Sequence, residues 1–289
     1  MTQENFRFVQ ADTDVQSISE YANLLQMCFP GATHLNKDNI KWQYIDNPAG
    51  KLVGYNAYSG NTLAAHYACI PTEVVLHGQR TLALLSLNTA THPDYQGNGL
   101  FKKLARKTFT LAESLDFSCV IGVANQNSTH GFVKSMGFQL VAPLEAKIGF
   151  SDLNVDWGTC ADKADFYCHW NRDSIDWRQR TPKKNMQCFI KSPNRVYGSA
   201  KIGIPGVQVS NPIYFPDGDS PTEPTRGPAS LKLFLGLFPK DTVSFRGYFD
   251  IPEFIKPSPL NLIYKALKSP IASLDPDKIL FGFQDFDAY

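Results

Sequence analysis

Two glycines separated by one residue, Gly97 and Gly99, stand between an apolar run and an amphipathic segment. Glycine adopts backbone conformations that let successive N–H groups point at one spot, and the start of a helix adds unpaired N–H groups and a positive dipole end. Such a turn binds anions, so we expect a phosphate-bearing cofactor here. The segment consists of Gln96, Gly97, Asn98, Gly99, Leu100 and Phe101.

The spacing of these glycines excludes the two commonest phosphate loops. The dinucleotide pattern G-x-G-x-x-G requires glycine where Lys102 stands, and the P-loop pattern G-x-x-x-x-G-K-[ST] is absent. The sequence also lacks H-E-x-x-H, G-x-S-x-G and an acidic cluster for Mg²⁺, so no metal site is predicted. For the loop taken alone, a plain strand-to-helix turn stays open as the alternative.

The residues around the loop predict the elements that hold it. Residues 82–91 are an apolar run of strand length, and residues 100–115 place apolar side chains on one helix face and basic ones on the other. A second buried strand is predicted over residues 117–123, and a short helix over residues 127–136 that ends at Gly137. The loop is therefore expected to join a buried strand to a helix.

Residues 1–150 as a whole predict one α+β domain with a mixed sheet. The earlier strands are expected over residues 6–10, 52–59, 62–76 and 80–91, and the earlier helices over residues 14–28 and 37–44. Turns at Gly60-Asn61 and His77-Gly78 join three of these strands into an antiparallel meander. The strand, helix and strand that follow form a crossover between parallel strands.

This arrangement resembles the GNAT superfamily of acyl-CoA-dependent N-acyltransferases over residues 1–150. The pyrophosphate loop of that family has the pattern [QR]-x-x-G-x-[GA], which the glycine loop follows except at Phe101, where a small residue is usual. A second family pattern, N-x-x-A-x-x-x-Y-x-x-x-G-F, is similar to the segment from Asn127 to Gly137-Phe138. Counted back from Gly137, the tyrosine that often protonates the departing thiolate falls at Val133.

The resemblance implies that acetyl-CoA is the cosubstrate and that a small-molecule amine receives the acetyl group directly in a ternary complex. The backbone of Thr89, Ala90 and Thr91 would bind the pantetheine arm, and the glycine loop would surround the pyrophosphate. Asn125 and Asn127 would face the pantetheine arm or the thioester. The protein is therefore expected to be an N-acetyltransferase.

Acyl transfer to an amine requires a group that takes the amine proton. Glu73 and His66 lie on the predicted strand 62–76, seven residues apart and so on opposite faces, and only one of them can face the cleft. Asn88 and Ser86 are expected to project from one side of the next strand and to order a water or bind substrate. The alternatives are an exposed edge acid for Glu73, a core histidine for His66 and a hydrogen bond within the sheet for Asn88.

The second half, residues 151–289, predicts a second α+β domain without another Gly-x-Gly loop. It is either a different kind of domain or a degenerate GNAT-like copy that helps to form the acceptor site. Residues 39–43 and 174–178 share an Ile-x-Trp-[QR] core, which favours a copy, and chance similarity is the alternative. Asp285 and Asp287 share one face of an extended segment and could bind a cationic amine, or be solvated terminal acids.

Composition narrows the possible partners. The net charge of +1 and the pI of about 7.6 give no basic track for nucleic acid. No apolar run reaches the roughly 20 residues of a membrane span, and six cysteines without C-x-x-C spacing favour buried free thiols in a cytoplasmic protein. Two rival functions stay open: a non-catalytic acyl-CoA-binding or regulatory protein, and a nucleotide-dependent enzyme that uses the same loop. The sequence leaves the oligomeric state open.

Overall fold

A computed structural model describes residues 5–183, 186–192, 195–201, 204–216, 230–251 and 258–286 of the chain. The first half, residues 1–150, follows the predicted order of elements, and the α+β class with a mixed sheet is confirmed. Its strands are β1 (Arg7–Gln10), β2 (Val53–Ser59), β3 (Thr62–Leu76), β4 (Gln79–Thr91), β5 (Cys119–Ala124), β6 (Gln139–Pro143) and β7 (Glu145–Gly149). Its helices are α1 (Val15–Cys28), α2 (Lys37–Tyr44), α3 (Leu100–Ser114) and α4 (Gln126–His130).

Capping side chains fix the starts of α1 and α2. Asp14 accepts a hydrogen bond from Ser17 N at 2.8 Å before α1, and Asn36 accepts one from Asn39 N at 3.1 Å before α2. Each cap satisfies an N–H group that has no partner within its own helix. The sequence positions of these short polar residues therefore set where both helices begin.

The first-half sheet has helices on both faces. β1, β2, β3 and β4 pair antiparallel in that order, and β4 then pairs parallel with β5 through the crossover helix α3. Leu84 packs with Leu104 of α3, whereas the neighbouring Leu85 belongs to the opposite core with Leu25 and Ile40 of α1 and α2. The α3 face and the α1/α2 face are thus distinct environments for the side chains of β4.

The second half, residues 151–289, repeats this strand order. Its strands are β8 (Asn154–Val155), β9 (Phe166–Cys168), β10 (Met186–Ser192), β11 (Arg195–Lys201), β12 (Val207–Ile213), β13 (Leu231–Leu237), β14 (Val243–Ser244), β15 (Tyr248–Asp250), β16 (Asn261–Ala266) and β17 (Ile279–Gly282). Its helices are α5 (Trp157–Lys163) and α6 (Arg172–Gln179). β10, β11 and β12 pair antiparallel, and β12 pairs parallel with β13, as β2 to β5 do in the first half.

Each half also contributes one strand to the sheet of the other half. β16 lies between β5 and β6 and pairs antiparallel with both. In the second half, β7 lies between β13 and β15 and pairs antiparallel with both. Since a strand from each side of residue 150 completes the other half's sheet, the division into domains 1–150 and 151–289 stays a prediction.

The shared Ile-x-Trp-[QR] core lies where the two halves meet. The rings of Trp42 on α2 and Trp177 on α6 stack with centroids 4.6 Å apart. Trp42 Nε1 donates to Trp177 O at 2.9 Å, and Trp177 Nε1 donates to Trp42 O at 3.1 Å. These reciprocal bonds are what two equivalent helices make when they meet about a local twofold axis.

The cysteine side chains form no disulfide bonds among the described residues. All six cysteines carry free thiols, and five of them are buried. Burial raises the pKa of the Cys119 thiol to about 12, which keeps it protonated and unreactive. Among the described residues, none of the helices combines the length and the apolarity of a membrane span.

Candidate active site

An opening in the first-half sheet lies where β4 and β5 separate. Their parallel pairing ends at the Ser86–Gly122 pair, whereas β4 stays paired with β3 as far as Thr91. Along residues 87–91 the outer edge of β4 has no strand partner among the described residues, so its backbone groups can pair with an extended ligand. This edge includes the three residues predicted to bind the pantetheine arm, Thr89, Ala90 and Thr91.

A β-bulge shapes β4 at this opening. The pairing register of β3 and β4 shifts here, and Asn88 has a left-handed backbone with φ of +47°. Its side chain turns to α2, where Asn88 Nδ2 donates to Gln43 Oε1 at 2.6 Å. Ser86 lies on the α3 face, with its Oγ 2.8 Å from Tyr67 OH. The expectation that Asn88 and Ser86 project from one side is wrong, because the bulge interrupts the alternation of the strand.

The glycine loop leads from β4 into α3. Gly97 and Gly99 have φ of +81° and +67°, the left-handed region that glycine tolerates. A Cβ on either residue would meet no atom within 4 Å, so both face open space. Asn98 Nδ2 donates to Tyr95 O at 3.0 Å and braces the turn. The N–H groups of the first turn of α3, which begins at Leu100, have no partners within the helix and add to the same anion-binding surface.

His66 belongs to a buried network and not to the opening. Its Nδ1 lies 2.7 Å from Asn56 Oδ1, its Nε2 lies 2.9 Å from Tyr44 OH, and its ring stacks on Tyr21 at 4.1 Å. Asn56 Nδ2 donates to Tyr21 OH, which orients the amide and assigns the His66 proton to Nδ1. Burial lowers the pKa of His66 to about 3. The candidate base His66 is therefore corrected to a core histidine, because both ring nitrogens are engaged and protonation is disfavoured.

A cavity of about 270 Å³ lies between the two halves. From the first half it is lined by Ile70 of β3 and Leu85 of β4, so it opens on the α1/α2 face. The candidate base Glu73 also lines it, with Oε2 2.6 Å from Arg80 Nη2 and 3.3 Å from His169 Nδ1. Glu73 thus lies between Arg80 and His169 at the cavity wall, although 28% of its side chain stays exposed.

Two buried charged residues of the second half, Asp285 and Arg178, complete the cavity wall. Asp285 accepts hydrogen bonds from Trp170 Nε1 at 2.7 Å and from Gly282 N at 2.6 Å. Burial raises the pKa of Asp285 to about 6, and the hydrogen bonds and the charge of Arg178 limit the rise. The Arg178 guanidinium lies 4.5 Å from the centroid of the Trp177 ring.

Sequence reasoning identified only part of this wall. Asp285 was expected either to bind an amine or to be a solvated terminal acid, and the structure places it buried at the cavity; Asp287 lies outside the described residues. Arg178 was noted only as part of the Ile-x-Trp-[QR] similarity, and neither His169 nor Trp170 was predicted to line a site. The Ile-x-Trp-[QR] similarity was the signal that could have identified Arg178. It indicates that α6 occupies in the second half the position that α2 occupies in the first half.

Comparison with known proteins identifies the first half. Residues 12–141 match the family model described as an acetyltransferase (GNAT) domain. The chain carries a GNAT domain. No curated protein matches the chain. The opening, the glycine loop and α3 all lie within the matched residues.

Solved structures share the fold of the chain across both halves. One is a conserved protein of unknown function from Enterococcus faecalis V583, described as a probable N-acyltransferase, with a TM-score of 0.58, 10% identity, and coverage of 91% of this chain and 73% of that one. A GCN5-related N-acetyltransferase from Anabaena variabilis ATCC 29413 has a TM-score of 0.58 and 12% identity, and the match covers 90% of this chain and 73% of that one. A GCN5-related N-acetyltransferase from Kribbella flavida has a TM-score of 0.60 and 10% identity, and the match covers 93% of this chain and 72% of that one. The GNAT fold therefore extends beyond the residues that the family model matches.

The GNAT domain accommodates Phe101, its departure from the usual loop, by packing the partly buried ring against the α3-face core. Phe101 packs at 5.3 Å from Phe132 and 5.9 Å from Tyr67, centroid to centroid. A Cβ at Gly131 would lie 3.5 Å from the Phe101 ring, so the glycine leaves room for it. The large side chain thus points to the core and leaves the surface of the glycine loop open.

The GNAT domain also shows how α4 borders the opening. Asn125 follows β5 and caps α4, accepting from Ser128 N at 3.0 Å. Asn127 is exposed on α4, and Val133 is half-buried in the π-helical turn that continues it. The Asn125 oxygen is therefore occupied by the cap, whereas Asn127 is exposed to solvent.

Proposed function

We propose that the chain is an acyl-CoA-dependent N-acyltransferase that uses acetyl-CoA and acetylates a small-molecule amine. The observation that carries the proposal is the unpaired edge of β4, which leads directly into the Gly97/Gly99 loop and the start of α3. An extended arm that ends in phosphates matches this combination of strand edge and anion-binding loop. Coenzyme A has this shape and charge.

In this proposal the cofactor contacts are mostly backbone groups. The edge of β4 at residues 87–91 pairs with the pantetheine arm, and the amides of residues 97–101 bind the pyrophosphate. Lys102 and Lys103 are exposed on the first turn of α3 and add positive charge beside the phosphates. Asn127 borders the opening from the other side and is placed to contact the pantetheine arm.

The cavity supplies the acceptor side of the reaction. Leu85 lines the cavity, and Asn88 marks the opening three residues further along β4, which corresponds to about 10 Å of strand. The amine nitrogen bonds to the thioester carbonyl carbon, the carbon–sulfur bond breaks, and the proton lost by the amine finally reaches the departing thiolate. No covalent enzyme intermediate is needed when both substrates are bound together.

Asp285 is better suited than Glu73 to take the amine proton. A general base works best when its pKa lies near the working pH. Burial brings the pKa of Asp285 to about 6, whereas Glu73 is engaged by Arg80 at 2.6 Å. We assign the proton-accepting role to Asp285 and a supporting role at the cavity wall to Glu73.

The test is release of the coenzyme A thiol from acetyl-CoA, followed across a panel of small amines. We expect amine-dependent release with kcat/KM that rises with pH through about 6, because Asp285 must be ionised to accept a proton. Asp285→Asn should lower kcat by about 100-fold or more, the usual contribution of a general base, with acetyl-CoA affinity unchanged. If Glu73→Gln abolishes the pH dependence and Asp285→Asn does not, the assignment of the base is wrong.

A second candidate function is a non-catalytic acyl-CoA-binding or regulatory protein. The valine at position 133 favours it, because the side chain there cannot protonate a thiolate. Calorimetry that finds acetyl-CoA binding without thiol release for any amine would support this alternative. Binding of ATP or NAD in preference to coenzyme A would instead support a nucleotide-dependent enzyme.

A further inference from the structure

The cavity between the halves is lined by charges of both signs. Its carboxylates are Glu73, Asp173 and Asp285, and its guanidinium groups are Arg80 and Arg178. A ligand with several positive charges would place one against an arginine, and a dianion would face the carboxylates. This lining favours a ligand that carries one charge of each sign.

The two most buried charged residues of the cavity wall have opposite signs. Arg178 is 5% exposed and Asp285 is 6% exposed, and the charge of Arg178 acts on the Asp285 carboxyl. The hydrogen bonds from Trp170 and Gly282 hold that carboxyl in one orientation. The Arg178 guanidinium also lies over the Trp177 ring, 4.5 Å from its centroid, which fixes the guanidinium at the cavity wall.

An α-amino acid fits an arrangement of this kind. Its amine and carboxylate are bonded to one carbon, so a protein that recognises both needs opposite charges next to each other. A guanidinium edge binds a carboxylate through two parallel hydrogen bonds. The volume of about 270 Å³ lies near the lower end of small-molecule sites, which span roughly 300–1,000 Å³, and suits a compact acceptor.

We propose that the acceptor is a small zwitterion of the α-amino-acid type, with its carboxylate bound by Arg178 and its amine facing Asp285. This inference rests on the proposed transferase function and specifies the substrate class of the same site. The apolar wall contributed by Ile70, Trp170 and Trp177 would contact the carbon skeleton. The product is an N-acetylated amino acid and free coenzyme A.

The first test uses the wild-type chain saturated with coenzyme A or supplied with acetyl-CoA at pH 8. Alanine, glutamine, methionine and phenylalanine are each compared with their primary amides, which keep the amine and lack the carboxylate. We expect at least one amino acid to exceed its amide by about 10- to 100-fold in binding constant and in kcat/KM, as expected for charge-assisted hydrogen bonds. Turnover of amides equal to or better than amino acids overturns the zwitterion inference and leaves the transferase function standing.

Binding without turnover would contradict the transferase function and not the substrate class. Selective binding of amino acids with no thiol release would keep the substrate class and contradict the transferase function. No binding of any amino acid by calorimetry, with acetyl-CoA binding intact, overturns the zwitterion inference whatever the turnover.

A matched pair of arginine variants tests the residue assignment. Arg178→Gln should raise KM for the preferred amino acid by about 10- to 100-fold and change KM for its amide by less than about threefold. Arg172→Gln, exposed on the same helix α6 and outside the cavity lining, should leave both within about threefold. Equal losses on both substrates in Arg178→Gln mean a structural role and overturn the assignment. The wild-type comparison stands even if Arg178→Gln fails to fold.

Discussion

The two halves of the chain share one strand order but differ where their central parallel strands separate. In the first half the edge of β4 stays open beyond Ser86. In the second half β12 and β13 pair only as far as Val209 and Leu233. There the side chain of Asn211 bridges the gap, donating to Leu235 O at 2.9 Å and accepting from Leu235 N at 3.3 Å.

The second gap is also filled by the end of the chain. Gly282 and Gly236 approach Asn211 so closely that an added Cβ would lie 2.8 Å and 3.0 Å from its Nδ2. The cavity left beside Asn211 and Gln284 measures about 10 Å³, too little for more than a single water. The comparison teaches that the strand order alone does not make a cofactor site, because one amide side chain can occupy the backbone groups that a ligand needs.

The largest effect is expected from separating the two halves. Residues 1–150 alone lack β16, whose Leu262, Ile263 and Tyr264 are all but fully buried. Their burial contributes about 5–9 kcal/mol, comparable with the whole stability of a domain, and β5 would keep an unpaired edge. The fragment should show no cooperative unfolding, whereas coexpression with residues 151–289 should give a soluble complex. A folded fragment that binds acetyl-CoA would contradict the exchange of strands as a requirement.

Acid should destabilise the first half through His66. Its pKa is lowered to about 3 from an ordinary value of 6.5, so the unfolded chain takes up a proton between these pH values and the folded chain does not. Stability is therefore full above pH 6.5 and falls by up to about 5 kcal/mol as the pH drops towards 3.

Urea unfolding at several pH values measures this dependence. His66→Gln should flatten it by up to about 1.4 kcal/mol per pH unit, and His130→Gln, exposed on α4, should not. An unchanged slope in His66→Gln would show that His66 titrates normally.

A pair of glycine variants distinguishes the two halves in cofactor binding. Gly99 and Gly206 have similar φ of +67° and +76°, and both would place a Cβ in open space. Gly99→Val and Gly206→Val therefore strain the backbone by similar amounts. Only the first adds bulk at the proposed pyrophosphate site, so we expect at least a 100-fold weaker Kd for acetyl-CoA from Gly99→Val, and less than a threefold change from Gly206→Val. Similar Kd values for the two variants would contradict the assignment of the loop.

The smallest effect compares the two asparagines at the gaps. Asn211→Ala removes the partner of the part-buried N–H and C=O groups of Leu235 and should lower the free energy of unfolding by about 1–3 kcal/mol, without changing the Kd for acetyl-CoA. Asn88→Ala removes the hydrogen bond to Gln43 and should act mainly on kcat, because Asn88 fixes the bulge at the opening. A large loss of acetyl-CoA affinity in Asn211→Ala would show that the second gap takes part in binding.

Local patterns were enough to predict most of the first half. The bounds of α2 and β3 agree with the predicted residues 37–44 and 62–76, since capping residues, turns and periodicity are properties of neighbouring residues. The glycine loop was found for the same reason. The bulge at Asn88 was missed, because it depends on the register of two strands.

Long-range packing decided what the sequence could not show. No local signal marks Asn261–Ala266 as a strand of the first-half sheet. The burial of Asp285 depends on contacts with Trp170, far earlier in the chain, and an extended acidic terminus carries no trace of them. His66 looked equally suited to a core or a base, and only its partners Tyr44 and Asn56 decided between the two.

The most direct test of this account is a crystal structure of the chain with acetyl-CoA bound. The account predicts one molecule per chain, with the pantetheine arm along residues 87–91, the pyrophosphate on the amides of residues 97–101 and the thioester directed towards the cavity that Asp285 lines. A second molecule between β12 and β13, or a thioester that points away from the cavity, would contradict it.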